Sequence, residues 1–392
     1  MEVSEVSILE SVKEKYHLKF GGENEVRTFR SPGRINLIGE HTDYNNGFVL
    51  PASVDKAIFF VISPREDDQV ILYAADLDET YSFSLNDLSK PASSWPHYQI
   101  GIVEQIQKRG LKIKGFQAAF GGNVPVGAGL SSSAALECCL LFGLNEIFNL
   151  GLDRFSVVKM SQKAENEYVG VQCGIMDQFA SAFGKQEQVI RLDCRSLEFE
   201  YFPFPMDDYL LVLCDTSVKH SLASSEYNTR RLECEKGVSI LQKYNPAILS
   251  LRDATPSMVE EHKEELGDTV YRRCKFITEE IQRVQDACDL LVEGNLVDFG
   301  KKMYETHDGL QHEYEVSCPE LDSLVLHTRN NPNVLGARMM GGGFGGCTIN
   351  LVKKDAVEAF EEEMKQAYKQ EYHIDLPCYR VKITNGTDEI IN

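Results

Sequence analysis

Two domains that mix helices with strands are predicted by three features of the sequence. The chain has 392 residues, more than one hydrophobic core usually serves. Short apolar, strand-like runs dominate the first half, whereas charged amphipathic helices fill most of the second. Between them, two prolines in Phe202-Pro203-Phe204-Pro205 interrupt the pattern, so the boundary is expected there, dividing residues 1–205 from 206–392.

The elements follow in order. Val6, Leu9, Val12 and Tyr16 recur at helical spacing, so a helix leads the chain. Apolar runs at Thr28–Phe29, Phe48–Val49, Ile58–Ile62 and Val70–Ala74 read as strands of one sheet, with turns at Asn45-Asn46-Gly47 and Ser63-Pro64-Arg65-Glu66. A helix over 97–109, a strand over 115–121 and helices over 131–148 and 153–169 come next, then strands over 186–194 and 209–214. Helices are expected over 224–243, 257–264, 268–292 and 294–306, followed by a strand over 347–352 and a helix over 355–370. No low-complexity segment and no internal repeat interrupts this order.

Composition narrows the function classes. A hydrophobic content of 43% is that of an ordinary globular enzyme, and a formal charge of −20 argues against a nucleic-acid partner, which needs a basic face. An anionic nucleotide can still bind where local dipoles and a cation offset that charge. Eleven cysteines without a C-x-x-C pair point to reduced thiols and a cytoplasmic protein. The first twenty residues lack the basic and apolar regions of a signal peptide, and no apolar run reaches the ~18 residues of a membrane span. The Asn385-Gly386-Thr387 triplet then reads as a plain turn.

Val-Pro-Val-Gly-Ala-Gly-Leu-Ser-Ser-Ser-Ala-Ala-Leu at 124–136 carries the most chemistry. Gly127 and Gly129 permit positive φ and close approach to a ligand, and the helix that follows presents free N–H groups. Ser131, Ser132 and Ser133 can cap that helix, donate to phosphate oxygens or ligate Mg²⁺. A well-capped helix is the plain alternative. The helix from Ala134 to Phe148 has Glu137 and Glu146 as its only charges, so it reads as buried and needs no tandem caps. No Walker lysine follows the glycines, so positive charge must come from elsewhere.

Three further clusters stand out. Ser31–Tyr44 packs Arg34, Glu40, His41 and Asp43 among Ile35, Leu37 and Ile38, a density that suits hydroxyl recognition against a core. Glu165 and Asp177 flank a glycine-containing break; one carboxylate can hold a metal while the other orients an attacking hydroxyl, although each alone reads better as a solvated or capping acid. The run Gly341–Gly346 satisfies G-x-G-x-x-G but precedes a strand, so it is a tight loop beside the phosphates and not a dinucleotide fingerprint. Tyr227 could reach a sugar hydroxyl, and Trp95 could stack on an adenine, with core packing the default for both.

Taken in order, residues 32–43, 127–135, 174–178 and 336–346 closely resemble the galactokinase family, within the superfamily of galactokinase, homoserine, mevalonate and phosphomevalonate kinases. Gly-Glu-His-Thr-Asp at 39–43, followed by Tyr44-Asn45-Asn46-Gly47, is the galactose-specific part. The resemblance implies an α+β fold with an S5 domain 2-like N-terminal domain, a ferredoxin-like C-terminal domain and the site between them. It implies ATP-dependent phosphorylation of α-D-galactose at C1 in galactose catabolism, with Asp177 as the catalytic aspartate and Arg34 its partner. Glu40, His41, Thr42, Asp43, Gly174 and Tyr227 would hold the sugar. Gly127, Ala128, Gly129, Leu130, Ser131, Ser132 and Ser133 would wrap the ATP phosphates, and Ser133 and Glu165 would hold Mg²⁺. The expected partners are galactose and ATP, with neither nucleic acid nor membrane, and the expected state is a monomer. A kinase for N-acetylgalactosamine or arabinose and a non-catalytic galactose sensor are the alternatives.

Overall fold

A computed structural model describes residues 5–21, 25–125, 127–204, 206–219 and 223–391. Val126 in the loop expected to hold phosphates and Pro205 at the expected boundary lie outside the described residues.

The first sheet is built from β1 (Arg27–Asn36), β3 (Pro51–Pro64), β4 (Gln69–Ala74), β5 (Glu79–Ser84), β6 (Phe116–Gly122) and the short C-terminal β13 (Asp388–Glu389). Its strand order is β13-β1-β3-β6-β4-β5, antiparallel throughout except for the parallel β4–β6 pair. β3 reads almost wholly apolar because both faces are covered. On one face Phe60 and Ile62 join the main core with α3 (Ser132–Phe148), and on the other Val61 packs with Val12 and Tyr16 of α1 (Glu5–Phe20).

Phe48–Val49, expected on that same sheet, is instead β2 of a separate three-stranded sheet with β7 (Gln188–Asp193) and β8 (Phe199–Pro203). The loop around Asn45–Gly47 turns the chain away before β3 begins, and an apolar pair carries no information about which sheet it will join. Residues 153–169 form α4 (Arg154–Lys163), which passes into a π-helical turn at Ala164–Val169 that Gly170 closes with φ 98°. α2 (Pro96–Lys108) packs on that turn, and α5 (Met176–Phe183) follows it.

The second half holds a four-stranded antiparallel sheet, β10-β11-β9-β12, made of β9 (Tyr209–Lys219), β10 (Val334–Met339), β11 (Gly345–Lys353) and β12 (Cys378–Val381). Its helices are α6 (Ala223–Leu241), α7 (Pro256–Glu261), α8 (Lys263–Val292), α9 (Leu296–His312), α10 (Pro319–Thr328) and α11 (Val357–Tyr372). The break expected between residues 264 and 268 is present as a kink at Gly267, with φ 71° and ψ 160° inside α8.

One apolar core joins the two halves, since Leu37 and Leu50 share it with Phe299, Ile349 and Leu351. That shared core brings four loops to one place: those after β1, after β6, before α5 and between β10 and β11. No helix of the described residues is long and apolar enough to cross a membrane.

Candidate active site

The phosphate loop takes the strained form its sequence predicts. Gly127 has φ 85°, Gly129 φ 74° and Ser131 φ 54°, after which α3 begins at Ser132. Ser131 makes no side-chain cap; its hydroxyl turns outward and donates to Asp177 Oδ2 at 2.5 Å. Ser133 donates to Glu165 Oε1 at 3.1 Å. Ala128 and Leu130 bury their side chains in the core, so this loop offers a ligand only their backbone. The run Gly341–Gly346 closes beside it, where a Cβ added to Gly341 would lie 3.6 Å from Gly129 Cα. It then enters strand β11, as expected, and not a helix.

Arg34, at the buried end of β1, ties the loop to the acid. Its Nε donates to Asp177 Oδ1 at 2.8 Å, its Nη1 to the Gly129 carbonyl at 2.5 Å, and its backbone N–H to the Leu130 carbonyl at 3.0 Å. Asp177 sits in the first turn of α5 with each oxygen held by a different donor, so its carboxylate is fixed in place.

Beyond Asp177 lies a cavity of about 180 Å³ lined by Arg34, Glu40, His41, Asp43, Gly174 and Tyr227, among others. Glu40 accepts from Arg338 Nη2 at 2.9 Å and from the Gly341 N–H at 2.8 Å. Burial opposes its ionisation, but the guanidinium groups of Arg338 and Arg34 outweigh that and hold it below the ordinary carboxylate range. Arg338 is fully buried and also donates to the carbonyls of Asn36, Leu37 and Met339, so one side chain from β10 anchors the whole loop after β1.

His41 adopts φ 63° and is held by its neighbours: Nδ1 bonds the Tyr44 hydroxyl at 2.8 Å, which in turn bonds Tyr314 at 2.7 Å. Burial lowers its pKa to about 4, so the imidazole is neutral at physiological pH, and its buried Nε2 has no hydrogen-bond partner among the described residues. Asp43 is raised to about 7, first by burial and then by the charge of Asp177. Gly174 allows Asp43 its place, because a Cβ there would overlap the Asp43 carboxylate. The ring of Tyr227 lies 5.3 Å from that of His41 and completes the wall.

A second group of acids surrounds Ser133. Glu165, on the π-helical turn, is raised to about 7 by burial and by Asp177, and Gln178 donates to it at 2.8 Å. Glu137, fully buried one helical turn beyond Ser133, is pushed well up by burial and by Glu165, and its Oε1 has no hydrogen-bond partner among the described residues. Its signal in the sequence was a lone acid in an otherwise apolar stretch of helix. Arg338, between two small residues and two methionines, gave a similar signal. Neither was read as part of the site.

Among the expected residues, Thr42 is not brought to the cavity wall. Its hydroxyl is buried and donates to the carbonyls of Gly39 at 2.9 Å and Phe48 at 2.6 Å, closing the turn. Trp95 donates to Glu79 at 2.7 Å and packs against Tyr81 and Phe120, which is the default reading for it.

Comparison with known proteins gives the same picture. Residues 97–185 match the GHMP kinases N terminal domain, residues 287–370 the GHMP kinases C terminal domain, and residues 14–64 the galactokinase galactose-binding signature. Galactokinase of Thermotoga petrophila is 41% identical over 362 residues, covering 92% of this chain and 99% of that protein. Galactokinase of Clostridium acetobutylicum is 40% identical over 390 residues, covering 98% and 100%. The crystal structure of Lactococcus lactis galactokinase complexed with galactose superposes with a TM-score of 0.94 at 37% identity, covering 98% of this chain and all of that one. The Methanococcus jannaschii mevalonate kinase, at 17% identity and a TM-score of 0.67 over 93% of this chain and 99% of that one, shares the fold.

Proposed function

Because the chain belongs to the galactokinase family, we propose that it transfers the γ-phosphoryl group of ATP to the C1 hydroxyl of α-D-galactose, giving galactose 1-phosphate and ADP. One observation carries the assignment of roles. The Asp177 carboxylate, fixed by Arg34 at 2.8 Å and Ser131 at 2.5 Å, stands where the small cavity meets the phosphate loop.

The sugar occupies the cavity, with Glu40, Asp43 and His41 facing its hydroxyls and Tyr227 and Gly174 shaping the wall. Carboxylates accept from hydroxyls, and a neutral imidazole with an unpartnered nitrogen can do either. Backbone N–H groups of residues 127–133 and the start of α3 receive the triphosphate. Asp177 orients the C1 hydroxyl and accepts its proton as the bond to phosphorus forms, while Arg34 offsets charge on the transferred group. Phosphoryl transfer asks for little beyond such positioning and neutralisation.

Mg²⁺ is proposed as the accompanying cation. Among the described residues no cluster of three or more His, Cys, Asp or Glu side chains closes on a metal position. Mg²⁺ does not need one, since it takes one or two protein oxygens and completes its shell with phosphates and water. Ser133 and Glu165 supply that pair, and the buried acids around them have an excess of negative charge to be neutralised. When bound, the ion neutralises phosphate oxygens.

The division into residues 1–205 and 206–392, a monomer, and a cytoplasmic location suited to eleven free thiols complete the proposal. A coupled ADP-release assay against galactose, N-acetylgalactosamine, arabinose, glucose, mevalonate and homoserine tests it, with Mg²⁺ present and absent. Galactose should give the highest kcat/KM. A better rate on another acceptor, or galactose binding without ADP release, would overturn the assignment.

A further inference from the structure

A second and larger pocket, of about 780 Å³, opens beside the sugar cavity and shares Asp43, Cys173 and Gly174 with it. Its charge is the reverse of the molecule's. The chain carries a formal −20, yet this concavity is lined by Lys108, Arg109, Lys159, Lys163, Arg195 and Arg231 against the single carboxylate of Asp43.

Exposed lysines and arginines are ordinary, and three of these six are neutralised in place. Lys108 pairs with Glu104 and Glu167, Arg195 with Asp253, and Arg231 with Glu235. The other three differ: Arg109, Lys159 and Lys163 make no ion pair among the described residues, although the chain holds 60 acidic residues. Lys159 and Lys163 stand four apart on α4, a spacing at which like charges face each other and repel. Cations gathered around a concavity focus field into it and raise the local concentration of anions.

We propose that this pocket is a second anion site, which takes a small phosphate monoester at the mouth of the sugar cavity. A doubly charged, compact anion matches a lining that offers one guanidinium and two ammonium groups outside ion pairs. No residue of the phosphate loop lines the pocket, so it is not the seat of the nucleotide's triphosphate. Side-chain amides of Gln162 and Asn166 stand among the cations, and these can bond the hydroxyls of a sugar ester. The reaction's own product is such an ester, and that part of the inference rests on the function proposed above; inorganic phosphate offers the same dianion.

Titration calorimetry on the full chain, saturated with ADP and galactose to fill the catalytic cavity, tests the site with galactose 1-phosphate and inorganic phosphate as separate probes. The wild-type chain should take up one further anion. Reversing charge in the double variant Lys159→Glu, Lys163→Glu should weaken that step by about tenfold or more, with initial-rate turnover of galactose unchanged. Comparable affinity for both probes assigns recognition to the dianion alone, and tighter binding of the ester adds a role for the amides. If reversal impairs folding, Arg109→Gln and Lys163→Gln each weaken binding severalfold. No further anion bound by the wild-type chain, or equal affinity in wild type and variants, overturns the proposal. Repeating the titration without ADP and galactose isolates it from the sugar assignment, since a wrong sugar leaves the difference between wild type and variant intact.

Discussion

On one side of the sugar cavity every carboxylate has a guanidinium: Glu40 bonds Arg338 at 2.9 Å and Asp177 bonds Arg34 at 2.8 Å. On the other side Asp43 is crowded by Asp177, and Glu165 and Glu137 crowd one another, all three without an ion pair among the described residues and all three raised first by burial. The difference separates two tasks. Paired carboxylates are already oriented by their cations, so little has to reorganise when substrate arrives. The crowded ones carry a cost of ionisation that only incoming hydroxyls or a cation can offset, which couples their charge to ligand binding.

The paired side is broken most severely at Asp177. Asp177→Asn keeps the shape and can still meet Arg34's neighbourhood through its remaining oxygen, but it cannot accept a proton. Turnover should fall by about 10²–10⁴-fold with galactose affinity little changed, read by ADP release and by equilibrium titration. Near-wild-type turnover would remove the base role. Arg338→Leu attacks the same side through stability. It leaves Glu40 buried without its closest cation and three carbonyls without a donor, so the chain should lose roughly 3–5 kcal/mol in denaturant unfolding. A loss below about 1 kcal/mol would mean that Glu40 is not charged as described.

Each side was legible in sequence except for one residue. Arg34, Glu40, Asp177 and the serines lie in short runs whose glycines and prolines mark the ends of strands and helices, so their chemistry could be read locally. Arg338 could not be, because its partners are backbone carbonyls some three hundred positions earlier, contacts that no spacing encodes. Glu137 was hidden differently: one acid on a buried helix is indistinguishable from a surface charge until Ser133 and Glu165 are placed beside it. The fold shows the same limit. β5 and β10 drew no expectation because their apolar residues are few or are broken by Gly336, and Phe48–Val49 changed sheets through a turn whose outcome depends on strands far along the chain.

The crowded side is sharpened by pH. Asp43 has an ordinary value of 3.8 and stands at about 7 in the fold, so the group's contribution to stability is complete below about pH 4 and is lost as pH rises through 7. Asp43→Asn does not titrate. Without ligand it should therefore be more stable than wild type at pH 8, by about 1–3 kcal/mol, with the gap closing toward pH 5. Denaturation midpoints at the two pH values read this directly. Galactose should shrink the gap at pH 8, because its hydroxyls favour the carboxylate. A gap of constant size across the range would show that Asp43 is ionised at no cost, and the contrast between the two sides would fail there.

Thr42 tests where the crowded side ends. It lies between His41 and Asp43, both proposed to face the sugar, yet its hydroxyl closes the turn by bonding the carbonyls of Gly39 and Phe48. Valine has nearly the same shape and no donor, so Thr42→Val should leave two buried acceptors short of a partner and cost about 1–2 kcal/mol of stability. Because the side chain is absent from the cavity wall, the KM for galactose should change by less than about twofold. The pair of measurements separates the two roles that the sequence left open. A stability loss with constant KM marks a turn-closing hydroxyl, whereas a large rise in KM at constant stability would place Thr42 among the groups that hold the sugar and extend the cavity wall by one residue.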